Sequence, residues 1–134
     1  AHGAIVASIL DMPMGYVRSS SKGHGRENLV EGKVVPGQKV VIVEDLISTA
    51  SSAIDAATAM REAGCEVLGI ASIFTYNMKK ALDNLEAAGL VNHSLSNLDA
   101  LLGTASAEGY IEKEDIQKIL RFRDNPSDAS WQDA

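Results

Sequence analysis

Val40-Val41-Ile42-Val43 is an uninterrupted β-branched run. A strand with one wet face would alternate apolar and polar residues. An unbroken run instead suits a strand covered on both faces, as at the centre of a parallel sheet. The residues downstream fit the same reading. Ala53, Ala56, Met60 and Ala63 recur at helical spacing, and Gly64 is placed to end that helix. Val67 to Phe74 is then a second apolar stretch that reads as a strand. Strand, helix and strand in close succession make a βαβ unit, whose crossover is right-handed. Such a sheet needs helices on its faces and a core of aliphatic side chains. The composition supplies that core, being 46% hydrophobic but only 4% aromatic.

The flanking sequence extends this α/β pattern. Ala4 to Leu10 is apolar and helix-like, and Asp11, Met12 and Pro13 break it. Met14 to Val17 is predicted as a short strand. Residues 18–37 carry glycine at 23, 25, 32 and 37 beside Ser19, Ser20 and Ser21. A stretch of roughly 20 residues without periodicity is long for a loop in a compact domain, and such loops tend to be functional or disordered. Met78, Ala81, Leu82, Leu85 and Ala88 predict a helix with Asn77 as its N-cap and Gly89 at its end. Leu98, Leu101, Leu102 and Ala105 predict another, capped by Asn97. Ile116, Ile119 and Leu120 predict a last one, opened by acidic residues and closed before Pro126. The expected division is a core domain over residues 1–123 and a polar, flexible tail over 124–134.

The formal charge of −6 and the sequence pI of about 4.9 argue against nucleic acid as a partner. The charge is uneven, however. Arg18, Lys22, Arg26, Lys33 and Lys39 face only Glu27 and Glu31 within residues 18–39. An acidic chain with one basic segment can bind a small, highly charged anion there. The lone cysteine, Cys65, allows no intrachain disulfide and reads as a small buried apolar residue rather than a catalytic thiol. A reducing, cytoplasmic setting is expected. No apolar run is long enough to predict a membrane span. The chain opens on Ala-His-Gly-Ala without an initiator Met and reads as the middle of a larger protein.

The segment Val40 to Ser52, VVIVEDLISTASS, carries the chemistry. It predicts a buried strand ending in Glu44-Asp45, then Leu46-Ile47, a turn of small hydroxyl residues and a helix. Ligands in open α/β sheets bind at the carboxyl ends of the strands. A helix N-terminus offers free N–H groups and partial positive charge to a phosphate. Ser48, Thr49, Ser51 and Ser52 add hydroxyl donors. Carboxylates would repel a phosphate, so Glu44 and Asp45 make sense as acceptors for vicinal hydroxyls such as those of ribose. The same residues also fit a plainer reading, in which two acids end a strand in solvent and Ser51 caps a helix.

This segment resembles the motif by which type I phosphoribosyltransferases bind PRPP, 5-phosphoribosyl 1-diphosphate: an apolar strand, two acids, two apolar residues and a Thr/Ser/Gly-rich turn. Tyr16-Val-Arg-Ser-Ser-Ser-Lys-Gly-His-Gly25 is similar to the mobile catalytic loop of the orotate phosphoribosyltransferase family. The opening AHGA resembles the tail of that family's pyrophosphate loop, and IFTYNMKKA at residues 73–81 also matches. The resemblance runs from residue 1 to about 123. It implies a type I phosphoribosyltransferase-like parallel sheet flanked by helices, here N-terminally truncated. It further implies transfer of phosphoribosyl from PRPP to orotate, giving orotidine 5′-monophosphate and pyrophosphate. Glu44 and Asp45 would hold the ribose hydroxyls. Leu46, Ile47, Ser48, Thr49, Ala50, Ser51 and Ser52 would complete the PRPP pocket, and Ser48 would also touch orotate. Arg18, Lys22 and His24 would act on PRPP bound to the partner of a homodimer. Mg2+ would be held mainly by PRPP and water, with no protein residue assigned as a metal ligand.

The chain departs from the family pattern at three places. Ala50 stands where the family usually has Gly, so its Cβ is expected to crowd the phosphate or disfavour a positive φ. The Ser19–Ser21 triplet lacks the lysine that family loops often carry. The family also has a preceding portion that supplies part of the base pocket, much of the dimer interface and most of the pyrophosphate loop. Two rival functions share the fold, a purine phosphoribosyltransferase and a non-catalytic regulator that senses PRPP. The RSSSKGHG segment favours orotate over purine, and the retained Arg18, Lys22 and His24 favour an enzyme over a sensor.

Overall fold

Among the described residues, the apolar run Val40–Val43 takes part in the longest-range strand pairing. In the computed structural model, which describes residues 1–18, 30–129 and 131, β3 (Lys39–Ile47) pairs in parallel with β4 (Glu66–Thr75). β4 pairs in parallel with β5 (Asn92–Asn97), giving a sheet of order β3-β4-β5. Helix α2 (Ser51–Glu62) makes the crossover from β3 to β4, and α3 (Lys79–Ala87) makes the next, to β5. Helices α4 (Leu98–Ala107) and α5 (Lys113–Asp124) follow. Ahead of the sheet lie α1 (His2–Leu10) and a small antiparallel pair, β1 (Tyr16–Val17) with β2 (Val30–Glu31).

The core lies between the sheet and the two crossover helices. Ile42, Ile47 and Ile70 meet Ala53, Ala57 and Met60 of α2 and Ala81 and Leu85 of α3. Alanine dominates the α2 contact, so the helix sits close to the strands; Ala53 and Ala57 are both 0% exposed. Coverage of β3 on both faces, expected from its apolar run, is not found: of Val40 to Val43 only Ile42 is buried. Val41 and Val43 on the other face remain exposed, and α1, which lies against β3, buries none of its own residues. Both crossover helices end on glycine. Gly64 (φ 85°) and Gly89 (φ 59°) take the left-handed conformation. The N–H groups that follow them, of Cys65 and Leu90, return to the carbonyls of Met60 and Leu85.

Four details differ from the sequence expectations. β3 does not stop at Glu44-Asp45 but continues to Ile47, because the pairing continues through Leu46 with Phe74 and Ile47 with Thr75. β5 was not expected. Its polar sequence is held through side chains, with Ser72 Oγ donating to Asn92 Oδ1 (3.0 Å) and Asn92 Nδ2 donating to Ser94 Oγ (2.8 Å). β2 falls inside the stretch expected as loop. Asn77 is not the N-cap of α3. Met78 holds that position, while Asn77 sits at φ 54° and donates from its side chain to Asp99 Oδ2 at 3.3 Å. The cap at Asn97 is as expected, its side chain accepting from Ala100 N at 2.9 Å. Beyond α5 the Trp131 ring meets Phe122 edge-on, 5.4 Å between centroids.

Candidate functional site

The carboxyl end of β3 turns through Ser48, Thr49 and Ala50 into the N-terminus of α2. Apolar residues at intervals fix this turn to the core. Ile47 is 1% exposed and Ala50 3%, and Ala53 follows one turn into the helix. The polar residues between them stay at the surface: Ser48, Ser51 and Ser52 are exposed and Thr49 is half-buried. Thr49 Oγ1 and Ser51 Oγ lie 3.1 Å apart in a hydrogen bond. No side chain caps α2, whose N-cap is Ala50. The first intrahelical bond runs from Ile54 N to Ala50 O at 3.0 Å. The N–H groups of Ala50, Ser51 and Ser52 therefore have no acceptor among the described residues. Free N–H groups at the positive end of a helix form an anion cradle, and the adjacent hydroxyls enlarge it.

Ala50 adopts φ 63° and ψ 6°, the left-handed region in which a Cβ is strained. The turn is nevertheless held in this shape from outside. Asn84 of α3 donates from Nδ2 to the Thr49 carbonyl at 2.9 Å, and Tyr76 N donates to Ile47 O at 3.1 Å. Sequence reading missed Asn84. The one signal for it was a polar residue on the buried stripe of α3, three after Ala81 and four before Ala88.

Because β3 continues past the acids, strand alternation places Glu44 and Asp45 on opposite faces. Glu44 shares its face with Ile42 and lies beside Ser72 in the register. It is half-buried, and loss of hydration raises its carboxyl above the ordinary value of 4.5, with the neighbouring Asp45 charge adding to the shift. Asp45 is exposed, as is Leu46.

Ser48 through Ser52 thus form the turn at the strand end, while Glu44 and Asp45 lie on opposite faces of the strand before it and Ile47 and Ala50 are buried. Arg18 is not joined to this turn. Its Nε pairs with Glu31 Oε1 at 2.7 Å across the β1–β2 ladder, with both side chains largely exposed. Lys22 and His24 lie outside the described residues. Among the described residues no three His, Cys, Asp or Glu side chains converge to hold a metal ion. A separate groove of about 430 Å³ between α3 and β5, lined by residues including Leu82, Leu85, Asn92 and Ser94, contains none of residues 44–52.

The phosphoribosyl transferase domain model matches residues 2–95, a span that takes in the whole strand–turn–helix. The chain belongs to this family. The chain is 52% identical over 131 residues to the orotate phosphoribosyltransferase of Bacillus cereus (strain B4264), covering 98% of this chain. It spans 62% of the length of that relative. Among solved structures, it is similar to orotate phosphoribosyltransferase from Aeropyrum pernix, at 30% identity and a TM-score of 0.70, covering 77% of this chain and 57% of that one. It is also similar to the Mycobacterium tuberculosis orotate phosphoribosyltransferase solved in complex with PRPP. The identity is 34% and the TM-score 0.55, over 66% of this chain and 49% of that one. No helix among the described residues is long and apolar enough to cross a membrane.

Proposed function

We propose that this chain is the phosphoribosyl-binding portion of an orotate phosphoribosyltransferase, which converts PRPP and orotate to orotidine 5′-monophosphate and pyrophosphate in pyrimidine (UMP) biosynthesis. The observation that carries the reading is 52% identity, sustained over 131 residues, to an enzyme named for that reaction. The site chemistry agrees with it. The free N–H groups of Ala50, Ser51 and Ser52, with the hydroxyls of Ser48, Thr49, Ser51 and Ser52, receive the 5-phosphate. The ribose hydroxyls donate to Glu44 and Asp45. Donation to an ionised carboxyl favours the charged form that burial disfavours at Glu44. Ser48, at the start of the turn, also faces orotate.

The reaction breaks the bond from ribose C1 to pyrophosphate and forms one from C1 to a ring nitrogen of orotate. Negative charge grows on the leaving group, so cations set there in advance lower the barrier. Arg18, Lys22 and His24 are the proposed cations. They act on PRPP held by the partner subunit of a homodimer, and closure of their segment excludes water from the reacting carbon. Mg2+ is proposed as an ion carried in by PRPP oxygens and water, where it would neutralise the diphosphate. The lone buried cysteine suits a cytoplasmic setting.

The test mixes the chain with PRPP, Mg2+ and orotate, follows the loss of orotate absorbance, and measures PRPP binding by calorimetry in parallel. Saturable PRPP binding is the expected result, with orotate as the base consumed in any turnover. Failure to bind PRPP, or turnover with adenine or hypoxanthine but not orotate, overturns the proposal.

A further inference from the structure

We infer that Asn84 is a positioning residue that aims the phosphate-binding N–H of Ala50 from outside the turn. The inference rests on the phosphoribosyl reading of residues 44–52. Asn84 sits on α3, 35 positions from the carbonyl it holds, and belongs to none of the motif segments. Its Nδ2 donates to the Thr49 carbonyl at 2.9 Å in a part-buried bond. The Thr49–Ala50 peptide is trans, since no cis bond occurs in the described chain. In a trans peptide the C=O and N–H point in opposite directions. Fixing the Thr49 oxygen toward α3 therefore fixes the Ala50 N–H away from α3, into the cradle formed with Ser51 and Ser52.

This external hold matters because Ala50 has little reason of its own to stay at φ 63°. An alanine at that conformation is strained, and a peptide flip would relieve it. A flip would also turn the Ala50 N–H inward and present the Thr49 carbonyl, a partial negative charge, to the incoming phosphate. The Asn84 bond opposes the flip. No other side chain among the described residues donates to the Thr49 carbonyl.

The test compares Asn84→Asp and Asn84→Leu with the unaltered chain. PRPP affinity is read by calorimetry, stability by thermal melting, and the Ala50 amide by nitrogen–proton NMR during titration with ribose 5-phosphate. Asn84→Leu keeps the volume and removes the donor without adding charge, and Asn84→Asp removes the donor while bringing a carboxylate toward the Thr49 oxygen, so both are expected to weaken binding and Asp the more. Loss of one hydrogen bond predicts PRPP binding weaker by about threefold to tenfold, together with a smaller ligand-induced shift at Ala50. Arg61→Leu serves as the stability control. Arg61 bonds to Ala88 O (2.9 Å) and Gly89 O (3.3 Å), so this variant loosens the α2–α3 contact without touching the turn. It is expected to lower the melting temperature while leaving PRPP affinity unchanged. If Asn84→Asp binds PRPP as tightly as the unaltered chain, or if Arg61→Leu loses affinity in the same proportion to stability, the positioning role is refuted. If the unaltered chain itself does not bind PRPP, the phosphoribosyl reading fails and the positioning role falls with it.

Discussion

Replacing Ala50 by glycine separates the needs of the fold from those of the ligand at one atom. Ala50 holds φ 63°, and a Cβ in the left-handed region costs about 1–2 kcal/mol. Glycine removes that strain. It also restores freedom to the unfolded chain, worth about 0.4–1 kcal/mol against the fold. The methyl group is buried, with only 3% of the residue exposed, so its loss forfeits up to about 0.8 kcal/mol of burial. These contributions nearly cancel, and the Ala50→Gly variant is expected to match the parent within about 1 kcal/mol. Ligand binding has no such cancellation. The expected gain comes from room beside the Ala50, Ser51 and Ser52 N–H groups. Improving one phosphate hydrogen bond is worth about 0.5–1.5 kcal/mol, or PRPP binding tighter by about threefold to tenfold. The assay is calorimetric titration with PRPP and Mg2+ on both proteins, alongside thermal melting. Equal PRPP affinity in the two proteins refutes the reasoning. A large stability gain without tighter binding would mean that the strain was real but the cradle lies elsewhere.

Other perturbations probe the remaining parts of the site. Glu44 is raised by burial and then by Asp45, so holding it ionised at neutral pH weakens the fold. The Glu44→Gln variant should therefore melt higher than the parent at pH 7. That advantage should vanish as pH falls through the raised value and below the ordinary 4.5, where the carboxyl is protonated in both states. PRPP affinity should drop about tenfold at pH 7, because the neutral amide oxygen accepts from a ribose hydroxyl more weakly than a carboxylate does and the amide N–H cannot accept at all. Glu31→Gln frees Arg18 from its exposed pair. It should change stability by less than about 1 kcal/mol and tighten PRPP at low salt, with the gain fading as salt rises. Weaker binding there would argue against Arg18 acting on the diphosphate. Lys22→Ala should lower the rate of orotate consumption far more than the melting temperature, and unfolding of that variant would contradict its placement in a catalytic loop.

The βαβ unit was legible because hydrophobic patterning reports burial, and β3, α2 and β4 are where burial is densest. β5 was not, because NHSLSN is held by Ser72, Asn92 and Ser94 bonding to one another while its one large apolar side chain, Leu95, is 86% exposed. Periodicity analysis cannot see a strand docked through hydroxyls and amides. The end of β3 was misplaced for a related reason. Two adjacent acids look like solvent, yet backbone pairing to β4 carries the strand through them and so divides them between its faces. The turn at residues 48–52 was readable from its small hydroxyl residues, whereas Ala50 was expected to disfavour the positive φ that it in fact holds. Asn84 was not readable, since its partner is a backbone carbonyl distant in sequence. Side chain to carbonyl bonds of that kind leave almost no trace in a single sequence.

The central claim is that the β3–α2 turn receives a ribose phosphate, and amide-resolved NMR titration with ribose 5-phosphate tests it most directly. Saturable shifts centred on the N–H groups of Ala50, Ser51 and Ser52, with smaller ones at Glu44 and Asp45, are the expected result. Shifts centred instead on the groove between α3 and β5, or none at all at saturating ligand, would contradict it.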